Sequence, residues 1–162
     1  MIPETPFFLV IATLSGSLAG LAGLVAGLRR ERFGAIDLFR LREIVEFAFV
    51  NALISLSSIP LVRLLGGGAP MVRIVGTAAG VYLLLHATVL FRRLRRVSIA
   101  LSTWVRVAAT IDLAIVALAL ACLLSGELAL LEILLILLLG RPMTVFLFVL
   151  ASFEPSSDEG GP

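Results

Sequence analysis

Ser15-Gly16-Ser17-Leu18-Ala19-Gly20-Leu21-Ala22-Gly23-Leu24-Val25-Ala26-Gly27 is the stretch that decides how this chain is read. Gly16, Gly20, Gly23 and Gly27 recur at intervals of four, three and four, which on a helix aligns them in one stripe. The stretch carries no charge and belongs to an apolar run from Pro6 to Leu28, long enough to cross a bilayer as a helix. Inside a membrane, a stripe without side chains lets another helix approach to backbone contact.

The rest of the chain has the same character. Of 162 residues, 60% are hydrophobic and 15% charged, and mean hydropathy is +1.12; a soluble domain is nearer about 45–50% apolar. The apolar runs are too long for barrel strands, so the expected fold is an all-α polytopic bundle of about five transmembrane helices. The spans fall near 6–28, 44–65, 71–91, 104–124 and 127–153, forming a single domain 1–153. An acidic tail, 154–162, rich in Ser, Gly and Pro, is expected to be disordered. Met1-Ile2-Pro3-Glu4-Thr5-Pro6 has no basic residue, so the first span is expected to be retained rather than cleaved as a signal peptide.

Punctuation between spans is clear in places. Gly34 is a typical residue after a helix end, and Asp37 suits the N-cap of the second helix, whose stretch Leu38–Glu43 reads as an extension outside the bilayer. Pro60 is expected to kink the second span, and Gly66-Gly67-Gly68-Ala69-Pro70 is a tight turn. Trp104 suits an interfacial anchor, and Ser125-Gly126 is so short a turn that spans four and five must be a hairpin. Gly140-Arg141-Pro142 interrupts the fifth span, either as a kink in one helix or as the break between two half-helices.

All 13 basic residues are arginine. The absence of lysine excludes Schiff-base chemistry, and no cofactor is expected. Arg29, Arg30, Arg32, Arg40 and Arg42 follow the first span; Arg92, Arg93, Arg95, Arg96 and Arg106 follow the third; the opposite side has Arg63 and Arg73. This asymmetry accounts for the high isoelectric point without nucleic acid, and it places the N-terminus outside and the C-terminus inside. The same arginines are also suited to anionic lipid. Cys122 is the single cysteine, so no internal disulfide or thiolate cluster forms, and no metal site is expected.

Helical rise sets which residues share a depth in each hairpin. About the first turn, Gly27, Gly23, Gly20 and Gly16 face Ile44, Ala48, Asn51 and Ser55, so the glycine stripe is expected to pack on the Ala48–Asn51–Ser55 face, with oligomerisation as the alternative use. About Gly126, Asp112 lies beside Gly140 and Arg141, and an ion pair is expected there. About Gly67 and Gly68, His86 lies near Phe49, within a turn of Glu46 and Asn51. Glu46, Asn51, His86, Asp112 and Arg141 are therefore candidates for one polar cluster, with His86 and the carboxylates as the material of a proton relay. Asp112 and Arg141 read equally as an ion site or a structural lock. Glu132 and Arg73 are nearer the outer face, where they reach water or pair.

No G-x-S-x-G, P-loop, G-x-G-x-x-G or H-E-x-x-H pattern occurs, so an enzyme is not expected. Asp37-Leu38-Phe39-Arg40-Leu41-Arg42, after a glycine-rich first span, resembles a pattern in uncharacterised small bacterial integral membrane proteins, which implies a multi-pass protein of the bacterial inner (plasma) membrane. The first span is also similar in texture to the glycine-rich helix of rotary ATP synthase ring subunits, although five spans replace two. The expected function is an ion- or proton-conducting channel or transporter, oligomeric or held to a membrane-protein partner. The alternative is a non-catalytic accessory or scaffold subunit of a membrane complex.

Overall fold

A computed structural model describes residues 5–28, 34–97 and 103–151, which form five helices and no strand. They are α1 (Thr5–Leu28), α2 (Ala35–Leu65), α3 (Ala69–Val97), α4 (Thr103–Ser125) and α5 (Leu128–Ala151). Four stretches are long and apolar enough to cross a membrane: Thr5–Leu28, Asp37–Leu65, Ala69–Leu90 and Leu128–Ala151. In α4 the apolar part is the shorter Ala109–Ser125. The Arg29–Arg32 run, the 98–102 connector and the 154–162 tail lie outside the described residues, as do the side chains of Arg92, Arg93, Arg95, Arg96 and Trp104.

The turns follow from glycine geometry and from capping. Gly34, in extended conformation, is the N-cap of α2, so Asp37 is not. Asp37 instead sits in the first turn, where its charge suits the helix dipole and its Oδ1 accepts from Arg40 Nη1 at 3.3 Å. Gly66 closes α2 at φ 74°, its N–H donating to the Val62 carbonyl at 2.9 Å. Gly126 turns α4 into α5 at φ 70°. A Cβ at Gly126 would stand 2.5 Å from the Ala69 Cβ, so this turn is wedged against the start of α3.

Both prolines inside spans are carried within unbroken helix. Pro60 lies in α2 and Pro142 in α5, so α5 is one helix and not two half-helices. Each proline removes one backbone donor, a loss that a membrane helix tolerates when neighbours pack around it. Pro142 is buried, and Thr144 Oγ1 donates to the Gly140 carbonyl at 2.8 Å beside it.

α5 packs on all four other helices, and α2 bridges α1 to α3 and α5. The larger core joins Phe8 and Ile11 of α1, Phe47 and Val62 of α2, Met71 to Leu83 of α3, Ile115 to Cys122 of α4, and Leu131 to Leu138 of α5. A smaller cluster gathers Ala22, Leu41, Ile44, Val145, Phe146 and Val149. Large apolar side chains also stand exposed around the bundle, among them Leu24, Leu64, Leu84, Leu113 and Leu147. That distribution suits lipid and not water.

The glycine stripe of α1 is not where the depth matching assigns it. Gly16, Gly20, Gly23 and Gly27 are exposed, and a Cβ added at any of them meets nothing within 4 Å. The face that α1 turns inward is one residue earlier: Ala12, Ser15 and Ala22 are buried, with Ala19 and Ala26 partly so. These residues are spaced three, four, three and four, a second small-residue stripe about 100° round the helix. On α2 the expected face is the one used: Ala48, Asn51 and Ser55 are all buried. The glycines that do permit close approach are on α3, where Cβ atoms at Gly76 and Gly80 would come within 2.7 Å of Cys122 Cβ and 3.2 Å of Ala119 Cβ.

Candidate functional site

The site is built around Arg141, because a guanidinium with 0% exposure in the middle of α5 must find its partners inside the bundle. It finds two acids on two different helices. Arg141 Nε donates to Asp112 Oδ1 of α4 at 3.2 Å, and Nη1 donates to Glu43 Oε2 of α2 at 3.2 Å. The guanidinium carbon lies 4.3 Å from the centroid of the Phe47 ring, one turn beyond Glu43 on α2. Spacing of four residues puts Glu43, Phe47, Asn51 and Ser55 on the same α2 face, and that face is turned to α5.

His86 of α3 extends the network toward the surface. Its Nε2 is 3.4 Å from Glu43 Oε1, and its Nδ1 is 3.7 Å from Glu46 Oε1. Glu43 keeps only 4% side-chain exposure, whereas Glu46 keeps 41%. The imidazole packs edge-to-face with Phe47, 4.5 Å from its centroid, and at a tilt to Tyr82, 5.9 Å from its centroid. Arg141 Nη2, His86 Nε2 and Tyr82 Oη are buried without a protein hydrogen-bond partner. From Glu46 through His86, Glu43 and Arg141 to Asp112, four helices contribute to one chain of ionisable groups.

Four of the five sequence candidates, Glu46, His86, Asp112 and Arg141, are therefore brought together, and the Asp112–Arg141 pair has direct contact. Asn51 is placed elsewhere. Its Nδ2 donates to Ser15 Oγ at 3.0 Å and lies 3.4 Å from the Leu135 carbonyl, so its partner on α1 is Ser15 and not the backbone near Gly20. Glu43 is the residue that sequence reasoning missed. It reads as part of an extension outside the bilayer, but it is inside the bundle at 3% exposure. The available signal was its spacing, four before Phe47 and eight before Asn51 on the buried face of α2. Among the described residues no group of three or more His, Cys, Asp and Glu side chains is placed to hold a metal ion.

No known protein family, curated protein or solved structure matches the chain. What the site does chemically must therefore be read from its own groups. They offer one permanent cation, three carboxylates and one imidazole, and no activated nucleophile.

A shallow groove of about 430 Å³ runs beside the network between α1 and α2. Ala22, Ala26, Leu41 and Phe49 make it apolar, and Arg42 and Glu46 stand at its edge. Glu46 thus faces both this groove and His86.

Proposed function

We propose that this is a multi-pass membrane protein that conducts protons, alone or coupled to another ion, with His86 as the carrier between a surface carboxylate and a buried one. The observation that carries this reading is the imidazole between two acids of unequal exposure, Glu46 on one ring nitrogen and Glu43 on the other. At 3.4 and 3.7 Å the ring is just outside direct hydrogen-bond reach of the two carboxylates, so a small side-chain shift or one water on each side lets it accept a proton at one nitrogen and release one at the other. Beyond Glu43 the Arg141–Asp112 pair continues the line of charge across the bundle. Ionisable groups are costly at this depth, which favours a functional use.

In this reading α4 is the fifth crossing. Its 23 residues extend about 34 Å, and Leu113, Leu120 and Leu124 give it a lipid-facing side. Five crossings put the termini on opposite faces, and the arginines after the first and third spans put the N-terminus outside and the C-terminus inside a bacterial inner membrane. The outward glycine stripe of α1 suits a second copy of the chain or a membrane partner. No catalytic chemistry is assigned.

A second reading, an accessory or scaffold subunit, is favoured by the Arg141 contacts alone, since they tie α2, α4 and α5 together whether or not a proton moves. Proton flux into liposomes holding the reconstituted full chain separates the two. Conduction predicts flux in wild type that Glu46→Gln and His86→Gln reduce by about 10²–10⁴-fold, the usual range for losing a positioned acid–base group. Absence of flux in wild type overturns conduction, and a stoichiometric partner retained on purification favours the accessory reading.

A further inference from the structure

The groove between α1 and α2 has a use that no proton path requires. Its α2 side is the row Leu38, Leu41, Val45 and Phe49, and its α1 side is made of small residues, Ala22 and Ala26. Alanines opposite a row of larger side chains leave a channel that neither helix fills. Leu38, Val45 and Phe49 stand exposed along it.

The channel has the depth of one leaflet. The spanning stretch Asp37–Leu65 has its midpoint at Asn51. At about 1.5 Å per residue, Phe49 lies about 3 Å from that midpoint, Arg42 about 14 Å and Leu38 about 20 Å. Half of a hydrocarbon core is about 15 Å. The groove thus starts at the headgroups, passes the edge of the hydrocarbon at Arg42 and ends near the midplane.

Among the described residues that line it, Arg42 is the one cation. It is exposed and has no ion pair among the described residues, whereas Arg40 is paired with Asp37. Glu46, one turn deeper, has its Oε1 3.7 Å from His86 Nδ1, so the acid of the lining is engaged with α3. Helix side chains lean toward the N-terminus of their helix, and arginines in a membrane extend to the interface. Both effects carry the Arg42 guanidinium to headgroup level.

An apolar channel one leaflet long, with an unpaired cation at its headgroup end, suits an acyl chain that carries an anion. The α1 helix of a second copy suits it less. From Thr5 to Leu28 that helix has no charged residue, so it would fill the channel and leave Arg42 without an anion. We propose that the groove binds an anionic glycerophospholipid, its phosphate on Arg42 and one acyl chain laid from Leu41 to Phe49 over Ala22 and Ala26. The site needs only the bundle in a bilayer and is independent of proton transfer.

Native mass spectrometry of the full chain, released from nanodiscs of equal parts phosphatidylglycerol and phosphatidylcholine, tests the site. Phosphatidylglycerol is expected to be retained over phosphatidylcholine. Arg42→Gln should lower its retention about fivefold, the weight of one basic residue at an anionic surface. Arg63→Gln, at the other end of α2, should leave it unchanged. Ala26→Phe, which fills the groove and keeps the arginine, should lower it at least as far. In wild type, a phosphatidylglycerol with a diazirine on its acyl chain should label Val45 or Phe49, a readout that does not depend on how Ala26→Phe folds. Equal retention of the two lipids, or retention indifferent to Arg42→Gln, overturns the headgroup seat, and label confined to other helices overturns the groove. A lipid-free dimer that Ala26→Phe converts to monomer assigns the groove to a second copy and overturns the proposal. Selective retention in a protein without proton flux keeps the lipid site and removes only the conduction reading.

Discussion

Replacing Arg141 with methionine should destabilise the bundle by about 3–5 kcal/mol, the range for removing one member of a buried ion pair. The size follows from the contacts. Two hydrogen bonds between charged partners, at 3.2 Å each, and a guanidinium 4.3 Å from an aromatic centroid are lost together. Taken separately they would amount to about 1.5–3 kcal/mol per charged bond and about 0.5–2 for the cation–π contact. The sum overestimates, because Asp112 retains 16% exposure and can turn toward water, whereas Glu43 at 4% cannot. Most of the cost is therefore the buried Glu43 carboxylate, left, among the described residues, with His86 as its one remaining neighbour able to carry the opposite charge. Removing every charge should then recover most of it, since a neutral, well-packed substitute for a buried ion network is often as stable as the original. The assay is detergent-titrated unfolding in mixed micelles, followed by far-UV circular dichroism, for wild type, Arg141→Met, and Arg141→Met combined with Glu43→Gln and Asp112→Asn. Neutral interhelical hydrogen bonds in membranes average only about 0.6 kcal/mol, up to about 1.7. A single-variant loss below that ceiling, or a triple variant no better than the single, would refute an ionic lock centred on Arg141.

Other substitutions separate the roles of neighbouring residues. Glu46→Gln should change unfolding free energy little, because a side chain 41% exposed is screened, while it lowers proton flux; equal loss of stability and flux would remove its assignment as an entry group. Gly76→Ala places a methyl 2.7 Å from Cys122 Cβ and should cost about 1–3 kcal/mol by overpacking α3 against α4, measured by the same unfolding titration. Gly126→Ala combines a φ of 70° with a Cβ 2.5 Å from Ala69, so a larger loss, with lower yield of folded protein, is expected there.

Depth was legible in the sequence, and azimuth was not. Counting outward from Gly126 puts Asp112 level with Gly140 and Arg141, and the 3.2 Å contact follows because the two-residue turn leaves no freedom in register. His86 was legible in part: counting from the Gly67 turn puts it level with Phe49 and within a turn of Glu46, which it meets, but it also meets Glu43, nearly a turn further along α2. The long α2 helix does not lose its apolar neighbours at Ile44, so the charge at Glu43 did not mark the edge of the buried segment. Its carboxylate goes inward because Arg141 needs a second acid. Hydropathy sees a charge at Glu43 and assigns water; the structure supplies a guanidinium instead.

The rotation of α1 shows the same limit and leads to a sharper test. Each stripe glycine follows a small residue: Ser15-Gly16, Ala19-Gly20, Ala22-Gly23 and Ala26-Gly27. Two stripes of equal spacing thus lie side by side, and spacing alone cannot choose between them. Hydrogen bonding chooses. Asn51 on the inner face of α2 needs an acceptor in apolar surroundings, and Ser15 provides one where glycine has no side chain to offer. The inward stripe is therefore the one containing Ser15, and the glycines are left outward. Gly20→Leu should leave the unfolding free energy of the monomer within about 1 kcal/mol of wild type, as for substitutions away from packed contacts, since nothing lies within 4 Å of its Cβ position. Ser15→Leu should disrupt the α1–α2 contact and strand Asn51 Nδ2. If Gly20→Leu unfolds the monomer and Ser15→Leu does not, α1 is rotated by one residue from the face described, and the glycine stripe packs on α2 after all.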